Sequence, residues 1–377
     1  MPLNDPSGSA RGVVVTYVPD QKAHASEHER ITQTEFARRL AALKDYEVGG
    51  PYDPQRRYTG PVYFVPSNTL TTQQAAPLGI RGRDDLFGGV VPHAFVATKV
   101  ISHPLVASDA AAPSGWNPAF GAQVGDAVLA GHAVFSHEDA RRAGLRLLAN
   151  GPLRIKAVRA TGGHGQSVAR DAAELQQQLD AIDPGEITSH GLVLEENLTE
   201  VQTFSVGQVT VGDLTASYFG EQRLTRNNRG AEVYGGSDLT VARGDFDDLL
   251  AQEAPPEARL AIEQARRYNA AVVACFAGFY ASRNNYDVVL GRDAAGRSRS
   301  GVLEQSWRLG GATGAELAAL EVFRSQPERN RLRASSIEIF GESPPPPPHA
   351  TVYFRGIDPR AGRLTKYTVV EPDVHPR

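Results

Sequence analysis

The segment Leu153-Arg-Ile-Lys156-Ala-Val158 constrains this chain more than any other. It reads as a short apolar strand with a lysine in its middle, and a buried ammonium is costly unless an anion meets it. Thr161-Gly162-Gly163-His164-Gly165-Gln166-Ser-Val168 follows at once. The bare N–H groups of such a loop can close around oxyanions, so lysine and loop together point to a nucleoside triphosphate. The competing reading is a surface strand with a loose turn. Two better-known glycine motifs do not fit. A Walker loop needs Lys-Ser/Thr after its last glycine, and Gly165 is followed by Gln166. A dinucleotide fingerprint needs a third Gly or Ala and must open a helix directly, but Val168 stands there. The next helix is expected from Asp171, capped with Glu174 and running through Leu175, Leu179 and Ile182. The unit therefore reads strand, glycine loop, strand, helix: a flap over a nucleotide.

With 377 residues the chain can build two or three domains. Lys+Arg 39 against Asp+Glu 43 leaves a net charge of -4, which offers no basic stripe for nucleic acid. No apolar run approaches the roughly 20 residues of a membrane helix, and the N-terminus lacks the pattern of a signal peptide. Cys275 is the single cysteine, so an internal disulfide and thiol-based zinc sites are excluded; it reads as a small buried residue. A cytoplasmic location is expected.

Gly12–Val18 and Pro61–Val65 read as strands flanking a helix over Glu29–Leu43, whose apolar positions are Ile31, Phe36, Leu40 and Leu43. The Gly-, Pro- and Ala-rich stretch 66–130 resists assignment. Ser136 is expected to cap a helix to Leu148. Gly191–Leu198 is a further strand, and alternation through Phe204, Val206, Val209 and Val211 suggests antiparallel sheet. A helix spans Pro255–Ala281, and five prolines at 344–348 precede a short tail that is free to return as a strand.

A second constellation lies near the C-terminus. Tyr286-Asp287-Val-Val-Leu290 and Val302-Leu-Glu304-Gln-Ser306-Trp307 read as a hairpin. If it is centred between Ala295 and Gly296, Asp287 faces Glu304 at about 5 Å between Cβ atoms. Ser306 and Arg308 then share that face and Trp307 packs on the other. Two adjacent carboxylates repel unless a cation or a proton sits between them, and hard oxygens of this kind suit Mg²⁺ with phosphates. A solvated hairpin with scattered charges is the alternative, and a slip of one residue would part the pair.

With both constellations in view, the order of parts resembles the ATP-grasp superfamily of ATP-dependent carboxylate–amine ligases, in a bacterial branch, over about Phe95–Thr313. The resemblance implies an α/β (α+β) ATP-grasp fold with an N-terminal pre-ATP-grasp domain (1–92), a glycine-loop lid subdomain (93–198), a catalytic and metal subdomain (199–343) and a Pro-rich linker with tail (344–377). It implies that Lys156 and an earlier lysine, Lys99, bind phosphates, under a loop formed by Gly162, Gly163, His164 and Gly165. His164 is either a phosphate contact or a solvent-facing loop residue. The hinge Val193-Leu-Glu195-Glu196-Asn-Leu198 would read adenine, and the ribose acid would fall at Gln202 or Glu200. Asp287, Glu304 and Ser306 would hold Mg²⁺. Ser306 stands where the family carries asparagine, and its hydroxyl is a shorter and weaker ligand than an amide oxygen. Arg308, with Lys156, would act on the transferred phosphate.

The implied activity is ATP- and Mg²⁺-dependent activation of a small-molecule or peptide carboxylate as an acyl phosphate, for attack by an amine or thiol. A non-catalytic ATP binder and a small-molecule kinase are the competing readings. Neither nucleic acid nor membrane is an expected partner, and a homodimer is expected by analogy. Arg223, Arg226, Arg229 and Tyr234–Ser237 read either as a carboxylate site or as a polar surface loop.

Overall fold

The computed structural model describes residues 12–19, 26–159 and 165–372. In the N-terminal part, β1 (Val13–Tyr17) lies between β2 (Glu47–Pro51) and β3 (Val62–Pro66) in a parallel sheet, with α1 (Glu27–Lys44) between the first two. Ser26 and Glu29 close a capping box at the start of α1. Phe36, Leu40 and Leu43 turn inward as their spacing predicts, but Ile31 stays at the surface. The stretch that resists sequence assignment carries β4 (Leu70–Thr71), α2 (Thr72–Ala75), β5 (Gly89–Val91) and α3 (Pro118–Val124), joined by 3₁₀ turns. Its Val96, Val100, Phe120 and Val124 pack in one core with Tyr268 and Trp307, against the large sheet described below.

The next part is a four-stranded antiparallel sheet. It contains β6 (Gly131–Val134), α4 (His137–Leu148), β7 (Leu153–Ala157), β8 (Gln166–Ala169), α5 (Ala172–Asp180), α6 (Pro184–His190) and β9 (Leu192–Glu196), in the strand order β6-β9-β7-β8. Asp171 caps α5, but Glu174 reaches back to the N–H of Arg170, not of Asp171, and the helix stops at Asp180 short of Ile182. Side chains alternate along a strand, so each sheet has two chemically distinct faces. Leu153, Ile155, Leu192 and Leu194 pack under the helices. Lys156 and Glu195 face the other way.

The remainder is an eight-stranded antiparallel sheet. It is built from β10 (Thr199–Val211), β11 (Leu214–Arg226), β12 (Glu232–Arg243), α7 (Phe246–Leu250), α8 (Pro256–Cys275), β13 (Tyr280–Ala281), β14 (Arg283–Arg292), β15 (Ser298–Ser306), α9 (Thr313–Ser325), β16 (Arg331–Phe340), β17 (Thr351–Asp358) and β18 (Gly362–Val370). Strand β13 pairs instead with β5, and the large sheet runs β15-β14-β10-β11-β12-β16-β18-β17. The chain after the proline run thus adds two strands to this sheet. Helix α8 covers one face through Ile262, Tyr268 and Val272, against Phe204, Val206, Tyr286 and Val288. Trp307 is buried on that side, against Phe279 at 4.6 Å. On the opposite face α9 and α1 pack over Val209, Val211, Ala216 and Tyr218. The apolar pattern of β10 therefore changes parity between Val206 and Val209, because a different face is buried at each end. Cys275, at the end of α8, is half-buried and not enclosed as expected. Among the described residues, no helix is long and apolar enough to cross a membrane.

Candidate active site

A cleft of about 510 Å³ lies between the polar face of the four-stranded sheet and the part of the large sheet that α9 leaves open. It collects Lys99, Lys156, Glu195, Glu196, Leu198, Asp287, Glu304, Ser306 and Arg308. Gly165 closes the β7–β8 turn with φ +65, its carbonyl accepting from Ala157 N–H. Gly162, Gly163 and His164 lie outside the described residues.

Lys156 is buried, and its Nζ lies 2.5 Å from Glu195 Oε1. The other carboxylate oxygen meets His103 Nε2 at 3.1 Å. Burial alone would push the Glu195 carboxyl up, but the Lys156 ammonium and the His103 ring outweigh it and bring it down to about 2. Both Glu195 side-chain oxygens are thus engaged by neighbours. Glu196 accepts from Ala130 N–H and pairs with Arg299. The cleft wall next to the hinge is apolar: Leu129, Leu198 and Val289 form a small cluster with Leu303 beside it.

The acid pair is in register, by a route the sequence does not show. Next to the turn, Arg292 pairs with Ser298, which centres the hairpin on Ala295, half a residue from the expected position. The shift between Asp287↔Glu304 and Val288↔Val302 leaves Leu303 as an extra residue, and this bulge restores Asp287 opposite Glu304. Leu303 and Glu304 both reach the cleft. Lys99, in a 3₁₀ turn, holds Glu304 at 2.9 Å. Asp287 Oδ1 accepts from Gln222 Nε2 at 2.8 Å and from the Asn285 carboxamide at 3.0 Å. Burial and then the Glu304 charge push Asp287 up to about 7, and those two hydrogen bonds and Arg283 offset only part of this.

A carboxyl raised in this way keeps its proton in the folded protein while the unfolded chain has lost it. The stabilisation present at acidic pH is therefore lost as pH rises from the ordinary carboxylate range through about 7. Asp287→Asn, uncharged throughout, is accordingly expected to melt above the wild type at pH 8, with a smaller gap at pH 5. A gap of equal size at both pH values would contradict this.

Beneath the acid pair, Arg283 is fully buried and forks onto Glu316, with Nε 2.9 Å from Oε2 and Nη2 2.8 Å from Oε1. Its Nη1 donates to the carbonyls of Ser306 at 3.2 Å and Arg308 at 2.5 Å, fixing the end of β15. Arg308 opens into the cleft; burial and the Arg283 charge pull its guanidinium pKa down. Tyr234 and Gly311 line the same end, and a Cβ on Gly311 would lie 2.2 Å from the Tyr234 ring.

Other expected residues fall elsewhere. Gln202 lies on the opposite side of β10 from Val201 and Thr203, which line the cleft, and Glu200 points to solvent and pairs with Arg292. Neither expected position for a ribose acid faces the cleft. Arg223 pairs with Asp238, Arg226 donates to Gly230, and Arg229 sits in the β11–β12 turn, so none of the three lines it. In their place β11 contributes Gln222 and Leu224. Sequence reasoning missed Gln222, Asn285, Arg283, Glu316 and His103. Polar residues at alternate positions of otherwise apolar strands, as in Arg283-Asn-Asn285-Tyr-Asp287, were the available signal.

The donor set fits a hard divalent cation, with two carboxylates, a hydroxyl and an amide on one face of two paired strands. Among the described residues, no three His, Cys, Asp or Glu side chains converge, so a cation here would take its remaining ligands from neutral oxygens and a bound phosphate.

This architecture, with the cleft between two antiparallel sheets, is the ATP-grasp fold. N5-carboxyaminoimidazole synthetase from Staphylococcus aureus, complexed with ADP, superposes with a TM-score of 0.56 at 12% identity, over 97% of this chain and 94% of that one. The Aspergillus clavatus N5-carboxyaminoimidazole synthase, in complex with ADP and 5-aminoimidazole ribonucleotide, gives 0.53 at 12% identity, over 97% and 94%. The biotin carboxylase domain of Hydrogenobacter thermophilus 2-oxoglutarate carboxylase, with MgADP and bicarbonate, gives 0.53 at 12% identity, over 95% and 86%. The chain belongs to the family described as "Protein of unknown function (DUF3182)", whose model matches residues 15–368. No curated protein matches it by sequence.

Proposed function

We propose that this chain is an ATP- and Mg²⁺-dependent ligase that activates a carboxylate as an acyl phosphate for attack by an amine or a thiol. The observation that carries the reading is the convergence, in one cleft, of an apolar slot beside the hinge, two lysines and two facing carboxylates. The relatives of like fold that hold ADP support a nucleotide in that cleft.

In this reading the base lies among Leu129, Leu198, Val289 and Leu303, with its edge against the hinge backbone, and Lys156 and Lys99 meet the phosphates. Asp287 and Glu304, with Ser306, hold Mg²⁺. When bound, ATP and Mg²⁺ supply a γ-phosphoryl group with its charge screened. A substrate carboxylate oxygen bonds to the γ-phosphorus as ADP leaves. The nucleophile then bonds to the acyl carbon, phosphate departs, and the nucleophile gives up its proton. The protein's contribution is positioning and charge, with Arg308 facing the developing charge. We take 1–92, 93–198, 199–343 and 344–377 as the units of this enzyme, which is cytoplasmic and homodimeric in this reading.

The test is ADP release across a panel of carboxylates with hydroxylamine as the nucleophile. Carboxylate-dependent ADP release with an equal yield of hydroxamate is the expected result, and Lys99→Met should lower the rate by about tenfold or more. A stable phosphorylated product that hydroxylamine does not trap would identify a kinase instead. Ser306, with a shorter and weaker ligand than an amide, favours a second reading, a nucleotide binder without turnover. ATP-induced stabilisation with no ADP release over the whole panel would support it.

A further inference from the structure

An amide side chain to which no role has yet been given lies beside the proposed metal site. Asn285 stands directly opposite Ser306 in the β14–β15 pairing and opens into the same cleft, though its side chain is largely buried. The two ends of its carboxamide meet Asp287 Oδ1 at 3.0 Å and Tyr218 Oη at 2.9 Å. Tyr218 Oη also lies 2.5 Å from Glu316 Oε1, in a carboxylate already ion-paired with Arg283. A phenol has a single proton to donate. The shorter contact, to an ionised acceptor, is the stronger one and takes that proton. The phenolic oxygen then faces Asn285 with lone pairs only and is ready to accept an N–H. The amide Nδ2 can satisfy it only by leaving Asp287, and a half-turn of the carboxamide makes that exchange.

The turned carboxamide presents Oδ1 beside Asp287 Oδ1, across from Glu304. Three oxygens so grouped repel one another unless a cation or a proton lies among them. Resting on the ligase reading above, we propose that Asn285 supplies the neutral oxygen ligand of the divalent-cation site by turning its carboxamide over. Tyr218 and Glu316 are the positioning residues that receive its N–H. Ser306 is then dispensable for metal binding, and its replacement of an amide costs the site little.

The experiment titrates Mn²⁺ into the full chain saturated with ADP, following free Mn²⁺ by electron paramagnetic resonance. Each variant's fold and metal-free ADP binding are checked by thermal shift. Asn285→Ala is expected to weaken Mn²⁺ binding by about tenfold or more, and Ser306→Ala by less than about threefold. Tyr218→Phe is the discriminating variant. It removes the phenolic oxygen that receives the turned N–H and leaves the Asn285 donor to Asp287 in place, so it should weaken Mn²⁺ binding by about threefold or more. If Asn285 merely donated to Asp287, Tyr218→Phe would bind Mn²⁺ as the wild type does, and that result overturns the inference. So does a large loss in Ser306→Ala beside an unaffected Asn285→Ala. A wild-type chain that binds neither ADP nor Mn²⁺ overturns the ligase reading itself, an outcome distinct from either of these.

Discussion

Lys156→Met is expected to abolish ATP-induced stabilisation and to lower the melting temperature of the metal-free protein by several degrees. The lysine is buried against Glu195, whose carboxylate is itself enclosed. Removing one partner of a buried pair costs about 3–5 kcal/mol when the other charge is left unmatched, and here only His103 remains against Glu195. The effect also has a pH signature. Glu195, held down at about 2, contributes stability that is fully present above the ordinary carboxylate range and is lost as pH falls through about 2. Without Lys156 the largest opposing influence on its burial is gone, and acid unfolding should begin at higher pH. The double variant Lys156→Met/Glu195→Met separates the two roles of the lysine. Replacing a buried ion pair by apolar groups of similar volume is often neutral, so the melting temperature should recover. ATP stabilisation should not. If the double variant regains the ATP shift, Lys156 is a structural lysine and contributes nothing to phosphate binding.

The second large effect is expected at Arg283, which the sequence reading passed over. Arg283→Met would leave Glu316 charged and fully buried, and would strip a donor from the carbonyls of Ser306 and Arg308. A loss of about 3–5 kcal/mol follows for the ion pair alone. Arg283→Lys should rescue little, since an ammonium cannot fork onto the carboxylate while also reaching two backbone carbonyls. Tyr218→Phe, which removes one hydrogen-bonded hydroxyl, should cost only about 1–2 kcal/mol. Urea unfolding of the three variants gives the ranking directly. A wild-type midpoint for Arg283→Met would show that the strand end is held by other contacts.

Much of the site was legible because its parts are local. A lysine inside an apolar strand and two carboxylates spaced about a hairpin each leave a mark within a few residues. The acid pair came out in register for a reason that local reading does not contain. The turn alone sets a different centre, and only the bulge at Leu303 realigns Asp287 with Glu304. Gln202 failed for a related reason. Counting along the chain cannot say which face of β10 meets the cleft, and there the face is set by which side α8 covers.

Local chemistry therefore determined the identity of the lysine strand and the acid hairpin, and with them the class of fold. Only the tertiary structure decided the partners. His103 reaches Glu195 across 92 residues, Arg283 reaches Glu316 across 33, and Tyr218 reaches Asn285 across 67. The physical reason is that a buried charge must be matched wherever the fold brings an opposite charge or a hydrogen-bond partner. That matching depends on how the sheets stack and on which helix covers which face, and neither leaves a pattern within a single stretch of sequence.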